Sequence, residues 1–255
     1  MKKEENTWVE YVSKAVLWSS AIFAVAILGG LSVHGYFMAN RAADNSIAVT
    51  GSAKTNVTSD LAKWSATFTR HAGVNNLKET LALANSDAAK IKKFITGVGI
   101  SESSITFLPI QSDTVYSSKQ GDYSQTPENL AGYNIRQQVR VEDKDIAKVD
   151  LLAGKLTMLI DQGIIADYQN TEYYYTKLDS LRPQLFAAAT KDAQTRAEAI
   201  ASGTGVKVGT LKSARTGVIQ VLAPNSTDVS DYGTYDLSTK EKVVSATVSV
   251  SFELK

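Results

Sequence analysis

Apolar and polar positions along this chain follow two regimes. From Ala15 to Met38 they hardly alternate: the run AVLWSSAIFAVAILGGLSVHGYFM holds no Asp, Glu, Lys or Arg, and its nearest charges are Lys14 and Arg41. A helix of that length crosses a hydrocarbon core of about 30 Å. Beyond Ser46 the apolar residues recur with a period of two or near 3.6, the signatures of half-buried strands and amphipathic helices.

Ile47 to Val57 reads I-x-V-x-G-x-A-x-T-x-V, and Ala62, Trp64, Ala66 and Phe68 alternate with Lys63, Ser65 and Thr67. The turn-like Thr58-Ser59-Asp60 between them predicts a hairpin. Asn76 followed by Glu79 resembles a capping box. Leu77, Leu81, Ala84, Ala88, Ile91, Ile95 and Val98 then form one helical stripe, closed by Gly97 and Gly99. A coiled-coil seam has the same spacing, but the alanines favour a helix lying on a sheet.

Ile105 to Tyr116 reads as a strand interrupted by Pro109, hence an edge or bulged strand. Ser117 to Asn129 is loop by composition. Tyr133, Ile135, Val139 and Val141 mark a strand with one dry face. Ile146, Val149, Leu152, Leu156 and Leu159 mark a second helix stopped by Gly163, and Ala166 to Thr176 a tyrosine-rich strand. A third helix begins near Ser180, with Pro183 in its first turn, and runs to Ser202. Val244, Ala246, Val248, Val250, Phe252 and Leu254 close the chain as an alternating strand.

Strand 62–71, helix 76–97 and strand 105–116 share a grammar with strand 131–142, helix 145–162 and strand 166–176. The pattern predicts an internal β-α-β duplication. The expected fold class is therefore α+β: one domain with a mixed or antiparallel sheet and helices packed on one face, preceded by one transmembrane helix. The domain plan is a cytoplasmic tail over 1–14, a transmembrane signal anchor over 15–38, a linker over 39–46 and an exported domain over 47–255.

Sidedness follows from the basic residues. Lys2, Lys3 and Lys14 precede the apolar run and Arg41 alone closely follows it, so the N-terminus belongs in the cytoplasm and the domain outside. A cleaved secretory signal is the rival reading. Phe37-Met38-Ala39 and Val33-His34-Gly35 are poor cleavage sites, which favours the uncleaved anchor. Both readings deliver the domain beyond the inner membrane, to the periplasm or outside the cell.

Composition narrows the chemistry. The chain has no cysteine, which excludes a thiol nucleophile, a Cys-zinc site and an iron–sulfur cluster. Net charge is +1 with both signs interspersed, which argues against a nucleic-acid partner. Only two histidines occur. His34 sits in the apolar run, expected near the outer interface, and His71 at a strand end without a local catalytic pattern. Glu142, Asp143 and Asp145 form an acidic cluster that a helix N-terminus explains more simply than calcium does. Gly203-Thr204-Gly205 follows a helix and reads as its termination; the nucleophile-elbow and P-loop motifs are absent.

No catalytic, cofactor-binding or metal-ligating residue is assigned, and no cofactor is expected. The candidate interface residues are Tyr168, Tyr173, Tyr174 and Tyr175. Successive strand residues face opposite sides, so this strand carries aromatics on both. They serve either a strand sandwiched inside the fold or a surface for a partner. The alanines at 187–189, 193, 197, 199 and 201 speak for close packing of the third helix, within or between subunits. Asn56-Val57-Thr58 and Asn225-Ser226-Thr227 match the glycosylation pattern, which bears on a eukaryotic source only.

Several segments together resemble the SIMPL-domain family of mostly bacterial exported proteins. They are Ile47-x-Val49-x-Gly51; Gly99-Ile100 followed by Ile105-Thr106, Pro109 and Tyr116; Gly132-Tyr133 with Val139-Arg140-Val141; Asp161-Gln162-Gly163-Ile164; Ala187-Ala188-Ala189 through Asp192-Ala193, Arg196-Ala197 and Ala201; and Val243 to Leu254. Ala53 stands where the family pattern expects a glycine, and the segment 111–131 is longer and more polar than that pattern; both fall in turns. The resemblance implies an α+β domain in the periplasm or at the cell surface. It also implies assembly into rings or shells in some members and a link to envelope or oxidative stress. It carries no catalytic residues.

The expected function is a non-enzymatic, single-pass envelope protein anchored in the bilayer by its N-terminal helix, whose exported domain forms a homo-oligomer. The alternative is a periplasmic binding module for a small ligand or a partner envelope protein, with the loop 117–129 and the tyrosine strand as its rim. A hydrolase with an unrecognised site is a third reading, disfavoured by the scarcity of histidine and lack of cysteine.

Overall fold

A computed structural model describes residues 26–27, 29–34, 45–117, 129–228 and 230–255. Residues 26–27 and 29–34 are helical. Among the described residues no helix is long and apolar enough to cross a membrane. The expected tail over 1–14, most of the anchor over 15–38, most of the linker and the loop residues 118–128 lie outside the described residues.

The strands are β1 (Ser46–Thr58), β2 (Leu61–Gly73), β3 (Ile105–Phe107), β4 (Gln111–Ser117), β5 (Asn129–Asp143), β6 (Ala166–Tyr174), β7 (Val208–Thr216), β8 (Gln220–Leu222) and β9 (Glu241–Leu254). The longer helices are α1 (Leu77–Gly97), α2 (Ile146–Lys155) and α3 (Leu178–Ser202). The chain divides into two compact units. The smaller comprises the described part of residues 1–51 with Thr190–Arg215 and Val248–Lys255, and the larger Ser52–Ala189 with Thr216–Thr247.

The larger unit is built on a five-stranded antiparallel sheet in the order β3-β5-β2-β6, with β4 also paired to β5. β2 runs antiparallel to β5 and β5 to β3, so β2 and β3 point the same way. The two β-α-β stretches are both present and interleave: β2-α1-β3 brackets β5, and β5-α2-β6 brackets β2. That is the split β-α-β arrangement of ferredoxin-like sheets.

Both helices lie on one face of this sheet, where Ala62, Trp64, Ala66 and Phe68 of β2 meet Val139 and Val141 of β5, Ile91 and Ile95 of α1, and Val149 and Leu152 of α2. Each large side chain buried there contributes about 1.5–3 kcal/mol. α2 tightens into a 3-10 turn over Leu156–Gln162 and stops at Gly163, whose φ is +69°. α1 begins after Asn76 as expected, but the asparagine side chain makes no capping bond; its carbonyl accepts from the Thr80 N–H and hydroxyl instead. Pro109 falls in the break between β3 and β4, as the sequence predicts.

The expected 58–60 hairpin does not form. β1 joins a separate sheet with β9, and β2 pairs with β5 and β6. The corner is re-aimed by distant partners: the Ser59 N–H donates to the Lys240 carbonyl and the Asp60 N–H to the Tyr174 carbonyl. The Asp60 carboxylate accepts from Thr176 through both its N–H and its hydroxyl. The single sheet expected is thus two. The larger unit also holds β8 on the first part of β9, with Leu185, Val221, Val244 and Ala246 in a second apolar cluster.

In the smaller unit Val248, Val250 and Phe252 of β9 are buried, as are Ala193, Ala197 and Ala201 of α3. These alanines recur every fourth residue, one side of a helix. α3 starts at Leu178, earlier than expected, so Pro183 lies inside it and not in its first turn.

Candidate functional site

The second face of the five-stranded sheet carries the polar half of each alternating strand. Register places Lys63 beside Glu142 and Glu172, Ser65 beside Arg140 and Asn170, Thr67 beside Gln138 and Tyr168, and Thr69 beside Arg136. Lys63 pairs with Glu142 at 3.0 Å, and Arg136 with Asp113 of β4 at 3.1 Å. Arg140 donates to Gln138 at 3.1 Å, and Asn170 to Glu172 at 3.2 Å. His71 Nδ1 lies 2.6 Å from the Asn134 side-chain oxygen at the far end.

A groove of 470 Å³ crosses this face, with Lys63, Ser65, Arg140, Tyr168 and Glu172 among its walls. Lys63, Arg136 and Arg140 are matched by Asp113, Glu142 and Glu172, so the face is charge-balanced. Tyr168 stands on it 59% exposed.

The other candidate tyrosines divide by strand parity. Tyr173 turns toward the helices, where its hydroxyl donates to Asp150 of α2 at 2.7 Å. Burial first, then that bond, pushes its pKa up to about 12. Tyr174 turns to the polar face, donates to Glu172 at 2.7 Å and lies under Lys63, 5.1 Å from its ring centre. The Glu172 bond first, then burial, raises its pKa to about 12. The Tyr175 N–H donates to the Tyr235 hydroxyl at 2.9 Å, and that hydroxyl donates to the Tyr175 carbonyl at 3.1 Å.

The segment around Tyr235, for which the sequence predicts no element, ties down the end of β6. The Tyr173 N–H donates to the Leu237 carbonyl at 2.9 Å, and Lys240 pairs with Asp150. Its centre is Lys242, whose ammonium donates to the Asp236 carboxylate at 3.1 Å and the Thr239 carbonyl at 2.7 Å. Burial alone would raise Asp236, but bonds from Ser238, Thr239 and Lys242 hold it well below the usual carboxylate range. α1 hides a second unread pair: buried Asp87 accepts from Arg70 at 2.6 Å, which raises the guanidinium pKa. Periodicity says which side of a strand or helix a residue faces and not which charge meets it, so only a partner in space reveals these pairs.

The acidic cluster separates into distinct tasks. Asp145 caps α2 by accepting from the Lys148 N–H at 3.3 Å, Asp143 accepts from the Asp145 N–H at 2.9 Å, and Glu142 pairs with Lys63. Among the described residues no group of His, Asp and Glu comes together in a metal-binding cluster. Gly203 and Gly205 close α3, the latter with φ at +73°.

The family model SIMPL, described as "Protein of unknown function (DUF541)", matches residues 47–252. No curated protein matches the chain.

Proposed function

The chain belongs to the SIMPL family, and from that premise we propose that it is a non-enzymatic assembly module, tethered to the inner membrane by its N-terminal run, whose exported domain associates with further copies of itself. The observation that carries this is the charge-balanced polar face of the five-stranded sheet. A surface that holds cations and anions in equal number meets a second copy of itself without net like-charge repulsion, and its exposed tyrosine supplies an anchor for an isologous contact. Tyrosine is enriched at the centres of such interfaces. The envelope setting, with its link to stress, is the one the family resemblance implies.

The cysteine-free chain offers a direct test. In Tyr168→Cys, mild oxidation of the full-length protein in detergent should give a disulfide-linked dimer, while a cysteine at exposed Lys78 on α1 should not. Equal cross-linking at both positions, or none at Tyr168→Cys, contradicts the reading. The groove supports a second reading, capture of a small polar ligand between Arg140 and Glu172. Saturable ligand binding by a protein that stays monomeric would favour it.

A further inference from the structure

On the outer surface of the helices, α1 presents Lys90, Lys93, Phe94, Gly97 and Val98 at intervals of three and four residues, one stripe of a helix. The end of α2 and its 3-10 turn present Lys155, Met158 and Gln162 opposite. The stripes bound a groove of 470 Å³, a size in the range of about 300–1,000 Å³ typical of small-molecule sites. Its floor is apolar: Phe94 and Val98 rest on the core beneath, and Met158 is 55% exposed. Gly97 keeps the middle open, with nothing within 4 Å of where a Cβ would stand.

The lips carry one sign of charge. Lys90 and Lys93 stand on one side, Lys155 on the other, and no carboxylate lines the groove. The neighbouring Asp87 is already held by Arg70 at 2.6 Å, with Lys90 at 3.8 Å. Lys93 and Lys155 form no ion pair among the described residues. Apolar floor and cationic lips together demand a ligand with an apolar body and an anionic head. The floor gains by covering an alkyl chain. Long lysine stems let the ammonium groups reach a head group from both sides and form charge-assisted hydrogen bonds.

We infer that this groove binds a single-chain anionic amphiphile, a free fatty acid with its chain along Phe94 and Met158 and its carboxylate between Lys93 and Lys155. The site lies on the helix-covered side of the sheet, so it stands or falls independently of the polar face.

The test is photolabelling of the full-length protein in phosphatidylcholine nanodiscs with a diazirine-bearing palmitate, followed by peptide mapping. Label should fall within residues 90–98 and 155–162 and be displaced by palmitate but not by palmityl alcohol. The exposed double variant Lys93→Gln/Lys155→Gln should lower labelling roughly tenfold with an unchanged circular dichroism spectrum, and Gly97→Leu should fill the groove and abolish it. Label elsewhere, equal competition by the alcohol, or full labelling of the double variant overturns the inference. Loss of label in phosphatidylglycerol discs would assign the groove to bilayer head groups and overturn the free-acid assignment.

Discussion

Lys242 and Asp236 form an ion pair at 3.1 Å in which the lysine side chain is wholly buried. The ammonium also satisfies two carbonyls, so the charge is compensated on several sides. Removing the lysine leaves a carboxylate with its main counter-charge gone, a change that costs about 3–5 kcal/mol in such pairs. Lys242→Ala should therefore lower the urea midpoint sharply. A loss below about 1 kcal/mol would show that the segment relaxes and solvates Asp236.

The same pair sets the acid limb of stability. A carboxyl whose folded pKa is depressed contributes stability above its ordinary value of about 3.9 and loses it as pH falls toward the folded value. Stability should thus decline below about pH 4, more weakly in Asp236→Asn once that variant's lower baseline is subtracted. Parallel declines in both proteins would place the acid sensitivity elsewhere.

The alkaline limb rests on Tyr173 and Tyr174, both raised to about 12. A raised folded pKa contributes stability that is fully present below the unfolded value of about 10 and lost as pH climbs through the folded one. Unfolding midpoints should hold steady to about pH 10 and fall between about 10 and 12. Spectrophotometric titration at 295 nm should show two tyrosines ionising late.

Gly132 is required by a close approach. A Cβ there would stand 2.1 Å from the Ala72 carbonyl oxygen on the paired strand β2, and the three nearest atoms are all backbone. Gly132→Ala should destabilise by about 1–3 kcal/mol, the range for overpacking that forces backbone to move. Chemical denaturation measures it, and a neutral result would mean that the β2–β5 register slips at no cost.

Among the tyrosines, Tyr168 and Tyr174 should behave differently. Tyr174 holds Glu172 and lies 6.2 Å from the Tyr235 ring, so Tyr174→Ala should lower stability and confound any effect on association. Tyr168 is exposed, so Tyr168→Ala should leave stability within about 0.5 kcal/mol and weaken association alone. Sedimentation and thermal melts on the two variants separate the effects.

Periodicity made much of the larger unit legible. The alternation of Ala62 to Phe68 and of Ile135 to Val141 marks the buried side of β2 and β5, and the stripe through Ala84, Ile91 and Ile95 marks the inner side of α1. The interleaving of the two β-α-β stretches was not legible, because alternation says which side is dry but not which strand is the neighbour. The hairpin failed for the same reason: Thr58-Ser59-Asp60 has turn chemistry, yet its hydrogen bonds go to Lys240 and Tyr174. Lys242 continues the inward parity of Val244 and Ala246 on β9, so parity alone placed a lysine inside. Nothing in the sequence supplied the Asp236 partner that makes that position tenable.

The most direct measurement of the assembly claim is the mass of the full-length protein in detergent by light scattering, with and without Arg140→Glu. A multiple of the protomer mass at micromolar concentration, collapsing toward one protomer when the charge on the polar face is reversed, is the expected result. A single protomer throughout, or an assembly indifferent to Arg140→Glu, would contradict it.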